Sequence, residues 1–439
     1  MTTTRLTTQL ASLAILLIAT TVLYTSQGLT HTLVPLLLAS GPSAGLVTSG
    51  YFLGFVIGAF FGATVIRRVG HIRAFAGLLS LVIFVILTMP LVDSLTFWTL
   101  ARTIHGACIA ATAIVVESWL VGASEATSRG RVLSVYTLAV YGGVGLGPMF
   151  LTAFPQAEWE MFSIGALLLC GAAVPVLFWR TNAPHVPDQP RAGLRRLLSV
   201  SPVSLLTAAV AGLGGGAFTA LGPVYGLSLG LDAGGVGMLM SISVLAGLTL
   251  QWPVGHLSDR FERRRVVLCI TTVCAIFAIG LSFSNGLSLW AIYVLLAGFQ
   301  GTLYTLYPIA LAHANDRVGP DIDATDIASG LLLAYGVGAA CGPLLAAGAA
   351  LGLGAIAGFV VAATALVVVA LYVFWHVRRY SKVSIVDKGV YANVPQSTPA
   401  MFELEPRTVP DSAFTSIAST FKQKIGNDVA PPKMGKGSP

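Results

Sequence analysis

Long apolar stretches alternate with short polar connections along the whole chain up to about residue 378. Twelve runs are near or above the ~18–20 residues needed to cross a bilayer as a helix. They cover roughly 10–31, 46–66, 72–92, 97–120, 131–153, 160–180, 203–229, 235–254, 265–284, 288–312, 325–346 and 352–377. The first lacks a charged segment followed by a cleavage site, so it reads as a retained first helix. The pattern predicts an all-α polytopic membrane protein with twelve transmembrane helices.

Composition agrees. Of 439 residues, 55% are hydrophobic and 10% are charged, and the mean hydropathy of +0.82 is far above that of a soluble domain. A net charge of +7 raises the question of nucleic acid, but its distribution answers otherwise. Of 25 Lys and Arg, 24 fall in alternate connections or in the two terminal segments, and the remaining one, Arg102, lies inside a run. The other connections (39–45, 93–96, 154–159, 230–234, 285–287, 347–351) hold none. Positive charge gathers on the cytoplasmic side of membrane proteins, so both termini are expected there. The five cysteines all lie in predicted spans, giving neither a disulfide framework nor metal-ligand spacing. They read as small helix-packing residues.

The two halves of the chain repeat. Gly62 and Gly255, Trp98 and Trp290, and Gly147-Pro148 and Gly342-Pro343 are separated by 193, 192 and 195 residues. Constant register across three pairs implies two parallel six-helix halves, placed at 8–180 and 203–378. Between them, 181–202 is proline-containing and basic, as expected of a cytoplasmic linker. Residues 379–439 read as a cytoplasmic, largely disordered tail.

One connection stands apart. Gly255-His256-Leu257-Ser258-Asp259-Arg260-Phe261-Glu262-Arg263-Arg264-Arg265 carries six charged residues out of eleven between two apolar runs. Gly255, Asp259, Arg260, Arg263 and Arg264 resemble the G-x-x-x-D-R-x-x-R-R loop of major facilitator superfamily transporters. In that family the loop joins helices 2–3 and again 8–9 and acts in gating. Arg102-Thr103-Ile104-His105-Gly106 resembles the family's R-x-x-x-G motif on helix 4. The runs ending in Gly147-Pro148 and Gly342-Pro343 are similar to a helix-packing motif common in its antiporters, which implies export. The first-half loop departs from the pattern, because Ile66 stands where the signature Asp belongs. The resemblance is to a little-characterised bacterial branch, which implies the inner membrane as location and a monomer as the working unit.

The resemblance also places helices 1, 4, 7 and 10 around a central cavity, and polar stripes fall on three of them. Helix 1 carries Tyr24, Gln27 and His31 on one face, helix 4 carries Arg102, His105 and Thr112, and helix 10 carries Gln300, Tyr304 and Tyr307. Helix 7 offers only Thr219 and Tyr225. A charge at the bilayer centre costs about 2.5–3.5 kcal/mol on insertion scales, so Arg102 needs a partner, water, or a snorkelling path to the headgroups. Glu117 is the one acid well inside a span. It is the leading protonatable group, with contact to a loop arginine as the alternative. These residues outline a substrate and proton pathway of Gln27, His31, Arg102, His105, Glu117, Gln300 and Tyr304.

The sequence has no G-x-S-x-G, H-E-x-x-H or phosphate-binding glycine loop. No catalytic residues, metal site or cofactor are expected, and the coupling ion would be the proton. The expected function is proton-coupled secondary transport of a small polar or amphiphilic solute, outward, by alternating access. An uncoupled importer or facilitator, and a membrane sensor on the same fold, are the alternatives.

Overall fold

The computed structural model describes residues 2–124, 129–154, 159–178, 197–198, 201–317, 324–379 and 395. Almost all of the expected tail and of the expected linker lies outside these residues. Long helices dominate: α1 (Thr2–Leu38), α2 (Gly41–Val69), α3 (His71–Thr88), α4 (Leu95–Ala123), α5 (Arg129–Ala153) and α6 (Glu160–Phe178) in the first half. The second half holds α7 (Pro202–Ser228), α8 (Ala233–Arg260), α9 (Arg263–Ser282), α10 (Leu289–Asn315), α11 (Ala324–Leu353) and α12 (Ala357–Arg379).

By length and apolarity the described residues contain eleven candidate spans, the last being a single run of 53 residues, Ile327–Arg379. A straight helix of that length would be about 80 Å long, far beyond a hydrocarbon core of about 30 Å. The chain breaks instead at a short 3₁₀ turn, Gly354–Ile356, where Gly354 takes a φ of 64° that glycine adopts without strain. The run is therefore two helices, α11 and α12, which pack on each other.

Packing partners repeat between the halves. In the first, α1 packs on α5 and α6, α2 on α4, and α3 on α4 and α6. In the second, α7 packs on α11 and α12, α8 on α10, and α9 on α10 and α12. Each pair maps onto its counterpart by adding six to both helix numbers, which is the parallel pseudo-repeat. Close packing rests on small residues, as expected where lipid supplies no hydrophobic drive between helices. Gly50, Gly54, Gly58 and Gly62 form one stripe on α2, and a Cβ at any of them would collide with Thr99, Thr103, Ala107 or Ala111 of α4.

The equivalence is not complete. Trp98 is buried and donates its indole N–H to Met89 and Val92 carbonyls, whereas Trp290 is 80% exposed. The expectation that all five cysteines pack between helices is also corrected. Cys108 and Cys274 are buried, but Cys170, Cys269 and Cys341 are exposed on the helix surface.

The halves meet along α2–α11 and α5–α8. The contact is tightest toward the end of the bundle opposite the chain termini. There Gly45 abuts Pro343 and Ala347, Gly41 abuts Ala350, and the Ser49 hydroxyl donates to the Ala340 carbonyl. On the other seam Gly237 abuts the Pro148 carbonyl, and Thr152 donates to the Gly234 carbonyl at 2.9 Å. Toward the terminus end, α5 and α8 separate around a cavity of about 470 Å³ lined by Ser134, Thr137, Gln251, Trp252, His256 and Asp259, among others. The far end is closed along both seams, and this cavity lies toward the terminus end.

Candidate substrate and proton pathway

Arg102 sits on α4 and is 2% exposed. Its Nη1 lies 3.0 Å from His105 Nδ1, one turn along the same helix, and its Nη2 lies 3.0 Å from His31 Nδ1 on α1. The guanidinium also lies over the Tyr51 ring of α2, 4.6 Å from its centroid, a cation–π contact that strengthens where water is absent. Arginine therefore does not snorkel in this structure; it is held inside the first half.

The hydrogen bonds fix protonation states. A guanidinium only donates, so both histidine Nδ1 atoms accept and each neutral ring carries its proton on Nε2. His105 Nε2 lies 3.0 Å from the Gln27 amide. The atom facing it is Gln27 Nε2, and the Tyr51 hydroxyl donates to Gln27 Oε1 at 3.5 Å; a proton on His105 Nε2 requires the amide to be turned over, so that its oxygen accepts. Tyr51 stands edge-on to both His31 and His105, at 4.4 and 5.6 Å between centroids. Thus Gln27, His31, Arg102 and His105 converge, as their spacing on α1 and α4 implies.

Glu117 lies fifteen residues further along α4, about 22 Å at 1.5 Å per residue, and is completely buried. Tyr136 of α5 donates its hydroxyl to Glu117 Oε1 at 2.8 Å. Tyr24 of α1 lies near both Tyr136 and Glu117, within range of electrostatic interaction. Tyr24 stands one turn from Gln27, so the two clusters form one polar column on the inner side of the first half.

Gln300 and Tyr304 stand one turn apart on α10 and sit across from this column. Tyr304 packs on Gly247 of α8 and meets Tyr141 of α5 at 5.0 Å between centroids, an aromatic contact bridging the halves. Gln300 is 1% exposed, and its Oε1 has no hydrogen-bond partner. Tyr307 contacts Tyr335 of α11 at 5.5 Å. Tyr225 of α7 lies elsewhere: its hydroxyl bonds Ser284 and its ring meets Phe359, away from the column.

Sequence reasoning missed Tyr51, Tyr136 and Tyr141. They sit on helices 2 and 5, outside the set searched, and a single tyrosine in an apolar run carries no periodic signal.

At the charged connection, Gly255 closes the wall of the α5–α8 cavity beside Asp259. Asp259 Oδ1 is 3.7 Å from Arg263, whose Nε is 3.0 Å from Asp316 at the end of α10. Arg264 and Arg265 pair with Glu262 at 2.5 and 3.2 Å, and Arg260 is exposed. Asp259 lines the cavity with Ser134, Thr137 and Leu138 of α5. In the first half Ile66 is fully buried where Asp259 has its counterpart. That connection is tied differently: His71 Nε2 lies 3.0 Å from the Ser118 hydroxyl, and its ring packs near Trp119.

Gly147 and Pro148 of α5, and Gly342 and Pro343 of α11, stand in helix contacts. Gly147 abuts Thr25 and Leu29 of α1, and Gly342 abuts Leu213 of α7. Pro148 and Pro343 present carbonyls to Gly237 and Gly45. The two prolines therefore take part in the seams between halves.

Comparison with known proteins agrees with the architecture. The model of the Major Facilitator Superfamily matches residues 16–321 and 204–399. An uncharacterized MFS-type transporter of Enterobacter sp. is 30% identical over 327 residues, 72% of this chain and 83% of its own. The uncharacterized MFS-type transporter YcaD of Shigella flexneri serotype 5b is 31% identical over 329 residues, again 72% and 83%. Among solved structures, the nucleoside transporter NupG in its D323A form superposes with a TM-score of 0.70 at 15% identity, covering 83% of this chain and 99% of that one. A D-xylose-proton symporter gives 0.63 at 14%, covering 83% and 96%. The family model and these relatives establish that the chain belongs to the major facilitator superfamily of membrane transporters.

Proposed function

We propose that the protein couples proton movement to the passage of a small polar solute between its two halves, by alternating access. The observation that carries this reading is the polar column of Arg102, His105, Gln27, Tyr136 and Glu117, all buried, with the half-buried His31 and Tyr24, on the inner side of the first half. Burying so many polar groups without function is costly at membrane depth, where such residues mark substrate and proton paths. Glu117 is the proton carrier, since a carboxyl changes charge on protonation and Tyr136 holds it in place. Gln27, His31, Arg102 and His105, faced by Gln300 and Tyr304, form the solute site. The sealed α2–α11 and α5–α8 seams close one side, and the Asp259–Arg260–Arg263–Arg264 connection gates the other. With both termini in the cytoplasm, the conformation described is inward-facing. The working unit is a monomer in the bacterial inner membrane, and the glycine-proline seams favour export.

The test is reconstitution in liposomes with an internal pH-sensitive dye and a panel of sugars, nucleosides and organic acids. A solute-dependent pH signal is expected in wild type. Glu117→Gln, a mimic of the protonated acid, should lose that signal while keeping solute exchange at equilibrium. Wild-type coupling in Glu117→Gln would remove its role as carrier. Import is the second reading, with proton symport, the activity named for the D-xylose neighbour, as its mode, and the sign of the dye signal separates it from export.

A further inference from the structure

The cluster around Arg102 holds a buried positive charge with no acid beside it among the described residues. Its contacts among the described residues are His31, His105 and Tyr51, and all three are neutral. Glu117 is about 22 Å away along the helix and is engaged by Tyr136. Elsewhere in the protein buried arginines are treated differently: Arg263 has Asp316 and Arg264 has Glu262. Among the described residues, Arg102 is thus a buried cation without a counter-charge.

Binding capacity also remains. Arg102 Nε is buried without a hydrogen-bond partner, and each Nη uses one of its two N–H groups. His31, locked as the Nε2–H tautomer, has that N–H without a protein acceptor among the described residues. These donors suit a planar anion that accepts on two oxygens, the geometry of a carboxylate against a guanidinium edge. A single guanidinium between neutral imidazoles matches one negative charge. A dianion would leave an excess charge buried.

We propose that the solute is a small organic monoanion whose carboxylate docks on Arg102 and His31, and so supplies the missing counter-charge. This inference rests on the reading of the column as the solute path. In the conformation described, the guanidinium is sealed beneath the closed α2–α11 seam, where Ser49 and Val56 bracket Tyr51 on α2. The site is therefore reached when that seam opens, and an anion bound there favours the states in which the column is accessible.

The experiment is thermal unfolding of the purified full-length protein with matched pairs of probes at constant sodium chloride. Benzoate is compared with benzamide, lactate with lactamide, and inorganic phosphate serves as the multivalent control. The acids should raise Tm by about 2 °C or more at millimolar concentration, and the amides and phosphate should not. Arg102→Gln should lose the acid effect. His105→Glu, which places a carboxylate beside Arg102, should lose it too although the arginine remains. Equal shifts from acids and amides, no shift from either acid, or an undiminished acid effect in Arg102→Gln would overturn the proposal. A His105→Glu protein that elutes as a monodisperse species and still responds like wild type would overturn it as well; if that variant does not fold, Arg102→Gln decides. Acid-dependent stabilisation without solute flux in liposomes would sink the transport reading and keep the anion site. Flux of neutral solutes without an acid effect would do the reverse.

Discussion

Gly45 of α2 and Pro343 of α11 belong to opposite halves, yet a Cβ on Gly45 would stand 2.6 Å from the Pro343 carbonyl oxygen. No side chain fits there. Both residues lie on the closed side of the bundle, where Ser49–Ala340 and Gly41–Ala350 continue the same seam. The sequence marks Pro343 through its match to Pro148, and the structure gives a reason for the match. Each proline presents a carbonyl to a glycine of the other half, Pro343 to Gly45 and Pro148 to Gly237.

A wedge at this point should shift the conformational equilibrium. Gly45→Leu cannot be accommodated with the seam closed, so the far side should open and stay open. In a cysteine-free background carrying His31→Cys, an impermeant maleimide should react at least about tenfold faster in the Gly45→Leu protein, the change expected for a 1.4 kcal/mol shift. Equal labelling rates would mean the seam does not control access.

Tyr136 and Glu117 carry the second expectation. The phenol donates to a carboxyl that is completely buried, and hydrogen bonds to charged groups contribute about 1.5–3 kcal/mol. Tyr136→Phe removes the donor and keeps the ring. Proton-driven flux should fall by about tenfold or more, with protein yield and elution unchanged. Flux at the wild-type rate would show that Tyr136 only fills space.

How much of this was legible in the sequence follows from what each feature depends on. Helices reveal themselves by apolar length, and the pseudo-repeat by register, so the architecture could be read directly. The convergence of Gln27, His31, Arg102 and His105 was also within reach, because i, i+3, i+7 spacing puts residues on one helix face. Tyr51 and Tyr136 were not, since their role comes from how α2 and α5 are rotated against α4. Rotation is set by small-residue packing such as the Gly50–Gly62 stripe, and no periodic rule on one helix reports it. The extent of α1 was underestimated as well. Thr2–Leu38 runs well past the apolar run at both ends: at its start the helix continues through polar residues, and at its end through Thr32-Leu33-Val34-Pro35-Leu36-Leu37-Leu38, which is itself mostly apolar.

Orientation is open to a direct chemical check. The connections around Asp93 and Asp232 carry no Lys or Arg, and the one around Arg260 carries four. Cysteines placed at Asp93 or Asp232 should therefore react with an impermeant thiol reagent added outside intact cells, and one at Arg260 only after permeabilisation. Reversed labelling would place the termini outside and turn the described conformation into an outward-facing one.

The last expectation concerns Arg263 and Asp316. Their side chains are 1% and 5% exposed, and Nε and Oδ2 stand 3.0 Å apart. The pair ties the start of α9 to the end of α10, and Asp259 at 3.7 Å joins the gating connection to it. A buried pair owes little net stability to its attraction, because desolvation offsets it; removing one partner is what costs, about 3–5 kcal/mol, since the other charge stays buried. Asp316→Asn should thus lower Tm markedly, while Arg263→Met with Asp316→Leu should recover much of the loss. The two variants separate stability from gating. If the pair serves only the fold, the double variant should transport normally. If it anchors the gate, the double variant should be stable yet slow, because Asp259 then loses the arginine that holds it in place. A double variant as unstable as Asp316→Asn alone would contradict the charge-burial account, and flux measurement on the stable form decides the role of the gate.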